Sequence, residues 1–363
     1  MKLAIYGAQG YALGAYEAIK TLYPKRVIPC FIVTAMGNNS PVLGNVPVRE
    51  IAAVSSEMTK AQKDSIEIII ATPENVQPDI EEALENYGFR HHSRLDSERW
   101  GELMKMFHLK LDRFLPLSAL PVGYNKPFIR IYMAKSDKDK PLINFPVLPG
   151  YVYPLQVGAE NTEARIADRL DNKGENISKK NGNYSELTGL YWIWKNKLCA
   201  AGISEGDDGQ YFGLAQYRRM LVFSRDDMLR LMDNDVDVVL PYPMPYEPNI
   251  NAHHERYLKE DDWSAIMAAL KELQPEYAEY FPQVLEQQYL YNYNVILAKK
   301  SVLREYCEWL FPILERTEEL SVPKGSERAD RYIGYIGESL ETLYFIKNVS
   351  RLNIVHTECK LYV

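Results

Sequence analysis

The first hundred residues alternate short apolar runs with segments of helical periodicity. The apolar runs predict strands at 3–6, 27–34 and 66–71, and the periodic segments predict helices at 10–23 and 76–87. The four isoleucines within 66–70 crowd together instead of alternating with polar residues, which is typical of a strand covered by helices on both faces. This β-α-β order predicts a parallel sheet, because parallel strands need a crossover helix between them.

The chain is long enough for two domains. Its 363 residues exceed the roughly 150 residues of an average domain, and its apolar content of 46% suffices for ordinary cores. A helix predicted at 97–107 closes the first unit, and Pro116, Pro121, Gly123 and Pro127 then interrupt regular structure. We therefore predict an α/β protein with a small Rossmann-like domain at 1–112, a linker at 113–126 and a second α/β domain at 127–363.

The second domain has mixed elements by the same criteria. Its predicted elements are strands at 128–134, 211–214 and 236–240, helices at 184–196 and 302–318, and an irregular proline-rich loop at 241–248. Twenty of the 26 tyrosines follow residue 125, and such amphipathic rings suit sugar-binding surfaces as well as ordinary interfaces.

Charge and cysteine usage exclude several classes of partner. The net charge of −7, with dispersed Lys and Arg, gives no broad basic face for nucleic acid. No run of 18 apolar residues predicts a membrane-spanning helix. The four cysteines are distant in sequence and form no C-x-x-C pair, which favours a reducing, cytoplasmic compartment.

Glycines after the first predicted strand indicate that the backbone there closely approaches another group, either a ligand or another part of the protein. Gly7, Gly10 and Gly14 lie where a phosphate can reach a helix N-terminus, and we assign them as a candidate phosphate loop. Their spacing departs from G-x-G-x-x-G, and the second strand ends in Val33-Thr34 without the acid that binds a ribose in NAD sites. A tight turn with close helix packing is the alternative interpretation.

Three further motifs resemble catalytic or metal sites but lack the right context. Residues 202–206 have the spacing of a serine hydrolase elbow without the preceding strand. His253 and His254 are sequence neighbours, and no further ligand lies at a zinc-like spacing, so no metal site is predicted. Asp235 and Asp237 form a D-x-D pair at the start of a strand, where a solvated strand end is favoured over a ligand site.

A buried strand that ends in two arginines points to an anion. Arg218 and Arg219 follow the strand predicted at 211–214, and guanidinium groups bind phosphate oxygens bidentately. A structural salt bridge is the alternative.

The polar stretch 171–188 precedes three aromatic rings, and its amides and hydroxyls suit a hydroxyl-rich ligand, although turns and helix caps explain part of it.

With these residues laid out, the second domain resembles a family of bacterial capsule and exopolysaccharide glycosyltransferases, catalogued as domain of unknown function 4422. The resemblance covers about residues 127–363. It rests on YVYPLQVG (151–158), residues 171–196, FGLAQYRR (212–219), DVDVVLP (235–241), Tyr291–Asn294, YCEWLFPIL (306–314) and RYIGYIGESL (331–340). It implies a GT-A-like fold, a nucleotide-sugar donor such as UDP-galactofuranose, and a glycan or polyprenyl-linked acceptor.

The resemblance and the motifs together give a working set of site residues. Donor or nucleotide binding is assigned to Lys135, Gln156, Gly158, Asn176, Ser178, Asn183, Tyr184, Gln216 and Tyr217. Arg218 and Arg219 are expected to stabilise the departing diphosphate, so that no metal is required, with manganese or magnesium as the alternative. Glu338 is the first candidate for the catalytic base and Glu186 the second. Acceptor contacts are assigned to Asn292, Asn294, His253 and His254.

One departure from the family pattern bears on activity. Gln216 stands where the family commonly has the histidine of His-Tyr-Arg-Arg, and glutamine can hydrogen-bond a substrate but cannot shuttle protons. The first domain is similar to Rossmann-like modules that precede glycan-tailoring enzymes. Two alternatives therefore stay open, a nucleotide-sugar or NAD(P)-dependent tailoring enzyme and a non-catalytic scaffold. Peripheral association with the inner membrane face and homo-oligomerisation are further expectations.

Overall fold

Six strands of the first hundred residues form one sheet with helices on both faces. The strands are β1 (Lys2–Tyr6), β2 (Phe31–Val33), β3 (Val42–Leu43), β4 (Val46–Glu50), β5 (Ile66–Ile70) and β6 (His92–Arg94). Their order is β3-β4-β2-β1-β5-β6, in which β3 pairs antiparallel with β4 and the other neighbours are parallel. The predicted parallel sheet is confirmed, although the second strand begins at Phe31 and not at residue 27.

Both faces of this first sheet are buried, as the run of isoleucines predicted. The helices are α1 (Gly10–Leu22), α2 (Ile51–Glu57), α3 (Lys60–Lys63), α4 (Gln77–Asn86) and α5 (Ser97–Leu111). Leu3 and Ile5 of β1 join a core with α1 and α5, whereas Ala4 and Tyr6 join a core with α2 and α4. Successive strand residues thus face opposite helical layers.

A larger sheet follows in the second part of the chain. Its strands and those of a separate small hairpin sheet are β7 (Phe128–Lys135), β8 (Val152–Gln156), β9 (Arg169–Leu170), β10 (Gln210–Gln216), β11 (Arg219–Leu221), β12 (Val238–Pro241), β13 (Met244–Pro245), β14 (Tyr289–Leu290), β15 (Ile296–Lys299), β16 (Ile354–Thr357) and β17 (Cys359–Leu361). The main order is β16-β12-β15-β10-β7-β8-β9, with β11 bridging β10 to β17 and with β13 pairing with β14. The α/β class is therefore confirmed for this part also.

One reversed strand shapes the edge where the site lies. Strand β15 is antiparallel to both β10 and β12, while β7, β8, β9 and β10 run parallel to one another. The start of β15 consequently lies at the edge where its parallel neighbours end. This places residues 292–294, just before β15, at the same edge of the sheet as Gln216 and Lys135, which end β10 and β7.

Helices cover this larger sheet and bury the largest core. They are α6 (Asn181–Tyr184), α7 (Leu187–Ile193), α8 (Arg225–Asp233), α9 (Ile250–His254), α10 (Glu260–Leu273), α11 (Pro275–Glu286), α12 (Lys300–Leu320) and α13 (Tyr332–Lys347). The single helix predicted over 184–196 is wrong in detail. Ser185 breaks it with a positive φ, and a π-helical turn over Trp194–Leu198 ends it. Residues 241–248 are also less irregular than predicted, because they contain β13.

Two glycines let α13 approach the turn between α6 and α7. A Cβ on Gly337 would lie 2.7 Å from Leu187 Cδ1 and 2.9 Å from Asn294 Oδ1, and one on Gly334 would lie 3.2 Å from Ser185 Oγ. The spacing of three residues puts both glycines on one helix face. Larger side chains at these positions would push α13 away from the turn.

The two sheets share buried contacts. Tyr242 and Met244, which follow β12, belong to the same core as Leu13 and Trp100 of the first unit. The segment predicted as a linker packs on the second unit, since Leu117 is buried in the core of the larger sheet and Pro116 bridges to His356. The domain boundaries themselves stay a prediction.

The computed structural model describes residues 2–142, 147–199 and 209–362. The hydrolase-like spacing at 202–206 lies outside them. None of the described helices combines the length and the apolar character needed to cross a bilayer. The four cysteines are free thiols.

Candidate functional site

A continuous groove runs along the carboxyl edge of the larger sheet. It consists of three adjoining cavities with volumes of about 450, 370 and 290 Å³. The first and middle cavities share Ser136, Lys138, Asn181, Gly182 and Ala329, and the middle and last share Ser185, Glu186, Gln216 and Arg331. We call them the polar end, the centre and the aromatic end of the groove. Ligands of open α/β sheets bind at this edge.

A buried aspartate fixes the loops that border the polar end. Asp171 accepts hydrogen bonds from the backbone N–H of Gly158 at 2.9 Å and of Ala159 at 3.1 Å, and from the hydroxyls of Ser178 and Thr188. Its two oxygens are therefore fully used within the protein. A buried carboxylate with this many donors acts as a structural anchor, and removing it would take an acceptor from four donors.

Two glutamates face the groove beyond this anchor. Glu186 lines the centre and the aromatic end, and Glu338 of α13 lines the aromatic end. Asn294 Nδ2 donates to Glu186 Oε1 at 2.7 Å, and the Tyr293 N–H donates to Glu338 Oε1 at 2.8 Å. The two carboxylates thus lie in one cavity, each held by a residue that precedes β15.

Burial makes both glutamates weaker acids than usual. Desolvation raises the pKa of Glu186, and desolvation together with the negative charge of Glu186 raises the pKa of Glu338 to about 8. Hydrogen bonds from Tyr293 and Asn292 and the positive charge of Arg219 act in the opposite direction on Glu338. A carboxyl with a pKa near neutrality is suited to proton transfer at neutral pH.

Backbone strain concentrates around these carboxylates. Ser185, Tyr293, Asn294 and Arg331 all have positive φ angles, between 50° and 75°. For residues other than glycine each such angle costs on the order of 1–3 kcal/mol and persists where surrounding contacts enforce it. All four border or support the groove, which marks this region as the part of the fold whose geometry is most tightly imposed.

Cationic groups line the centre and the polar end. Lys135, Lys138 and Arg331 line the centre, and Lys179 and Lys180 line the polar end. Arg331 is exposed and its Nε donates to Ser185 Oγ at 3.0 Å, while Lys180 pairs with Glu318. On one side of Glu186 lysine and arginine side chains thus outnumber the lining carboxylates of Asp137, Asp139 and Glu318, and on the other side aromatic rings line the groove.

The aromatic wall contains two stacked pairs of rings at the aromatic end. Tyr246 stacks on His253 with ring centroids 3.6 Å apart, and Tyr257 stacks on Tyr335 at 4.8 Å. Desolvation lowers the pKa of His253 to about 4, so its imidazole is neutral at neutral pH. Flat neutral rings of this kind pack against the apolar faces of sugar rings.

The structure brings many of the predicted site residues together. Those lining the groove are Lys135, Gly158, Asn183, Glu186, Gln216, Tyr217, His253, Asn292 and Glu338. Gln216 also donates through Nε2 to the carbonyl oxygen of Tyr293 at 2.9 Å.

Other predicted residues are committed to internal contacts. The amide of Gln156 bonds the backbone of Ala164 and Ile166, and Asn176 closes a local turn with Gly174 and Ser178. The remaining members of this group are buried: Ser178 on Asp171, Tyr184 on Glu318, His254 beside Ser339, and Asn294 under Glu186. In this structure the polar atoms of these side chains make contacts within the protein, and their assignments as ligand contacts stay predictions.

The two arginines do not face the groove. Arg218 donates through Nε to the carbonyl oxygen of Tyr362, and Arg219 lines a small cavity of about 20 Å³ between the two units. Within the described ranges neither arginine forms an ion pair, so the salt-bridge alternative is not supported either. The tight turn between β10 and β11 directs both side chains away from the strand end that was expected to present them.

The glycines after β1 serve close packing. A Cβ on Gly7 would lie 2.6 Å from the Ala71 carbonyl oxygen, and one on Gly14 would lie 2.4 Å from Trp100. A Cβ on Gly10 would lie 3.2 Å from the carbonyl oxygen of Pro245, which belongs to the second unit. The expected phosphate position at the start of α1 therefore borders protein, in agreement with the packing interpretation.

Neither the pair Asp235 and Asp237 nor the pair His253 and His254 forms a metal centre. Across the part of the chain that the structure describes, no three His, Cys, Asp or Glu side chains are arranged to hold a metal. Asp235 and Asp237 lie at the amino end of β12, and both pair with Lys299. The D-x-D pair is thus a strand start neutralised by a lysine, at the edge opposite to the groove.

Sequence reasoning missed several residues that line the groove: Ser136, Lys138, Ser185, Tyr246, Tyr257, Arg331 and Tyr335. Arg331 and Tyr335 stand in one of the motifs quoted for the family resemblance, RYIGYIGESL, which offered a signal. Lys138 and Tyr257 stand in no such motif, and only the folded arrangement brings them to the groove.

Comparison with known proteins decides the family. The family described as domain of unknown function 4422 (DUF4422) matches residues 139–349, which is more than half of the chain. The chain belongs to this family. The match is somewhat shorter than the resemblance expected over residues 127–363, and the DUF4422 region contains Glu186, Gln216, Arg331 and Glu338.

A solved structure shares the DUF4422 chain's fold. It is the apo structure of WbbM, a bifunctional glycosyltransferase, with a TM-score of 0.53 and 27% sequence identity over 64% of this chain. The aligned region spans 45% of WbbM, so this chain corresponds to less than half of that protein. No curated protein matches the chain. Together with the parallel-rich sheets, this likeness identifies the second unit as a GT-A-like α/β fold.

Proposed function

We propose that this protein is a glycosyltransferase that moves a sugar from a nucleotide-sugar donor to a glycan or polyprenyl-linked acceptor. The observation that carries the proposal is the groove in which Glu186 and Glu338 lie between a cationic and an aromatic wall. Membership of DUF4422 and the likeness to a bifunctional glycosyltransferase support it. Synthesis of capsule, exopolysaccharide or O-antigen is the corresponding pathway.

The donor lies along the polar end and the centre in this proposal. Lys135, Lys138 and Arg331 surround the centre and would neutralise the diphosphate. The polar end would take the nucleoside, since it carries Asn183, whose Oδ1 is buried without a hydrogen-bond partner among the described residues. A UDP-sugar, with galactofuranose as one candidate sugar, fits this division into charged and polar parts.

The transfer is a single displacement at the anomeric carbon. The acceptor hydroxyl oxygen forms the new bond to that carbon while the bond to the phosphate oxygen breaks, and the nucleoside diphosphate leaves with the electron pair. Glu338 in its ionised form takes the proton of the acceptor hydroxyl, with Glu186 as the second candidate. Cations around the centre stabilise the departing charge, so the proposal requires no metal.

The acceptor lies at the aromatic end. Tyr257 and Tyr335 form an outer stacked pair, and His253 and Tyr246 form an inner one. Sugar rings pack on such flat surfaces while their hydroxyls reach neighbouring polar atoms, here Asn292 and Glu338. The pair nearest solvent would hold a second sugar unit of the acceptor, because Tyr257 is about half exposed.

Turnover with a panel of nucleotide sugars tests the proposal. Release of nucleoside diphosphate is measured with manganese and with a chelator, alongside the melting temperature with each nucleotide. Ligand at a hundred times its Kd adds about 2.7 kcal/mol to the free energy of unfolding. We expect UDP-sugars to stabilise the protein and to be consumed in the chelator.

The matched variants are Arg331→Ala and Arg218→Ala. We expect Arg331→Ala to lower turnover roughly a hundredfold, because it removes a group at the diphosphate, and Arg218→Ala to leave it within about threefold. Equal losses in both variants would refute the assignment of the diphosphate to the centre of the groove. Absence of turnover and of stabilisation with every nucleotide sugar would refute the function itself.

A further inference from the structure

The first unit meets the second through the edge at which parallel α/β sheets ordinarily bind ligands. Strand β1 ends at Tyr6 and α1 begins at Gly10, and this turn lies against Met244 and Pro245. Gln9 beside it accepts a hydrogen bond from Arg256 Nη1 at 3.0 Å. The edge is therefore used as a contact surface for the unit that carries the groove.

Tyr11 extends from this turn to a half-buried arginine. Its hydroxyl accepts a hydrogen bond from Arg219 Nη1 at 3.2 Å, and its ring packs edge-on against Trp100 at 4.9 Å. Arg219 in turn lies 3.6 Å from the centre of the Tyr293 ring. The guanidinium is thus held between a tyrosine of the first unit and a tyrosine at the start of β15.

Tyr293 is the residue whose backbone holds the candidate base. Its φ is 75°, its N–H donates to Glu338 Oε1 at 2.8 Å, and its carbonyl oxygen accepts from Gln216 Nε2 at 2.9 Å. A tyrosine in this conformation is strained and needs external support. The stacked guanidinium supplies a contact on the ring, and cation–π contacts of buried groups are among the stronger ones.

We propose that the first unit is a positioning element for the groove, in which Tyr11 holds Arg219 against Tyr293 and Tyr293 in turn holds the carboxylate of Glu338. Tyr11 and Arg219 are positioning residues and touch no substrate in this arrangement. The inference deepens the proposed function, and its link to activity rests on that function. It explains why the first sheet, whose carboxyl edge is of the kind that binds ligands, lies next to the groove although no residue of the first unit lines the groove.

The test compares the loss of one phenol hydroxyl at two places on the same interface. Tyr11→Phe removes the acceptor for Arg219 and keeps the packing on Trp100, whereas Tyr289→Phe removes the hydrogen bond from Tyr289 to Glu17 at 2.8 Å. We expect Tyr11→Phe to lower kcat about tenfold with the donor KM within about twofold, and Tyr289→Phe to change neither parameter by more than about twofold. Equal losses in both variants, or unchanged kcat in Tyr11→Phe, would overturn the proposal.

A structural readout separates this inference from the proposed function. Crystal structures of the full-length wild type and of Tyr11→Ala give the distance between the Tyr293 nitrogen and Glu338 Oε1 directly. We expect this distance to exceed 3.5 Å in the variant, beyond a hydrogen bond. A hydrogen bond kept at its original length would overturn the inference even if the enzyme is active, and a broken one would support it even if no nucleotide sugar is turned over.

Discussion

Glu338 binds its proton more tightly in the folded protein than in the unfolded chain, because burial and the nearby Glu186 raise its pKa to about 8 from the ordinary value of 4.5. Between these two values the unfolded chain has lost the proton while the folded state keeps it, so stability falls as the pH rises. We expect Glu338→Gln to remove this fall. The variant should gain more in melting temperature at pH 8 than at pH 5, as measured by calorimetry.

The control for this prediction is a carboxylate on the protein surface. Glu319→Gln changes an exposed side chain that pairs with Arg316. It should shift the melting temperature by a similar small amount at both pH values. If the melting temperature of Glu338→Gln depends on pH in the same way as that of the wild type, the raised pKa of Glu338 is contradicted.

Gln216 offers a second prediction at the scale of single residues. Its Nε2 donates to the Tyr293 carbonyl oxygen, so a replacement must keep a donor there. We expect Gln216→His to retain turnover within about threefold, since a neutral imidazole N–H can also donate. Gln216→Glu should lower turnover at least tenfold, because its carboxylate would face another acceptor, the Tyr293 carbonyl oxygen, next to Glu186. Steady-state kinetics distinguish the two variants, and the reverse ranking would contradict the role of Gln216 as a donor.

For single residues, the sequence predicted the chemistry of a side chain better than its position in the fold. Glu338 and Gln216 were identified from motifs, and both line the groove. Arg219 was expected to face an anion, but the turn after β10 directs it to Tyr11. A sequence shows that two arginines follow a strand, whereas the direction of their side chains depends on β17, which pairs with β11 from more than a hundred residues away.

Helix α13 is the element whose placement most directly forms the site, and its glycines permit this. Gly337→Ala would set a Cβ 2.7 Å from Leu187 Cδ1 and 2.9 Å from Asn294 Oδ1. Overpacking of this kind typically costs 1–3 kcal/mol, and here it also displaces the partner of Glu186. We expect Gly337→Ala to lower the unfolding free energy by about 2 kcal/mol in urea titrations and to reduce turnover.

Gly150 provides the matched control, since a Cβ there meets no atom within 4 Å. Gly150→Ala should change the unfolding free energy by no more than about 0.5 kcal/mol. A similar effect of both substitutions would contradict the assignment of the cost to the contacts with Leu187 and Asn294.

Elements with a clear period could be predicted from the sequence, and elements defined by tertiary contacts could not. Strands β1, β2 and β5 and helix α12 follow from apolar runs and helical spacing, whereas strands β3, β4 and β6 were not predicted. The break at Ser185 has no such signal, because the positive φ there is imposed by α13 and Asn181, whose Nδ2 donates to the Ser185 carbonyl oxygen. Strand β13 is also set by its partner β14, forty-five residues further along the chain.

For the whole molecule the shared core predicts one cooperative unfolding transition. Tyr242 and Met244 are buried with residues of α1 and α5, and the N–H of Leu361 donates to Ser97 Oγ. We expect calorimetry of the full chain to show a single transition. A fragment of residues 113–363 should melt several degrees lower, because it exposes this core. Two resolved transitions, or a fragment as stable as the full chain, would contradict this prediction.

The bond between Tyr11 and Arg219 also limits how such a protein can be recombined. A different parallel α/β module spliced in place of the first hundred residues would lack the hydroxyl that Arg219 binds, and would leave the guanidinium of Arg219 without that partner. Modular exchange at this junction would therefore have to carry compensating changes at positions 219 and 293. The two units of the chain are therefore matched to each other at this contact.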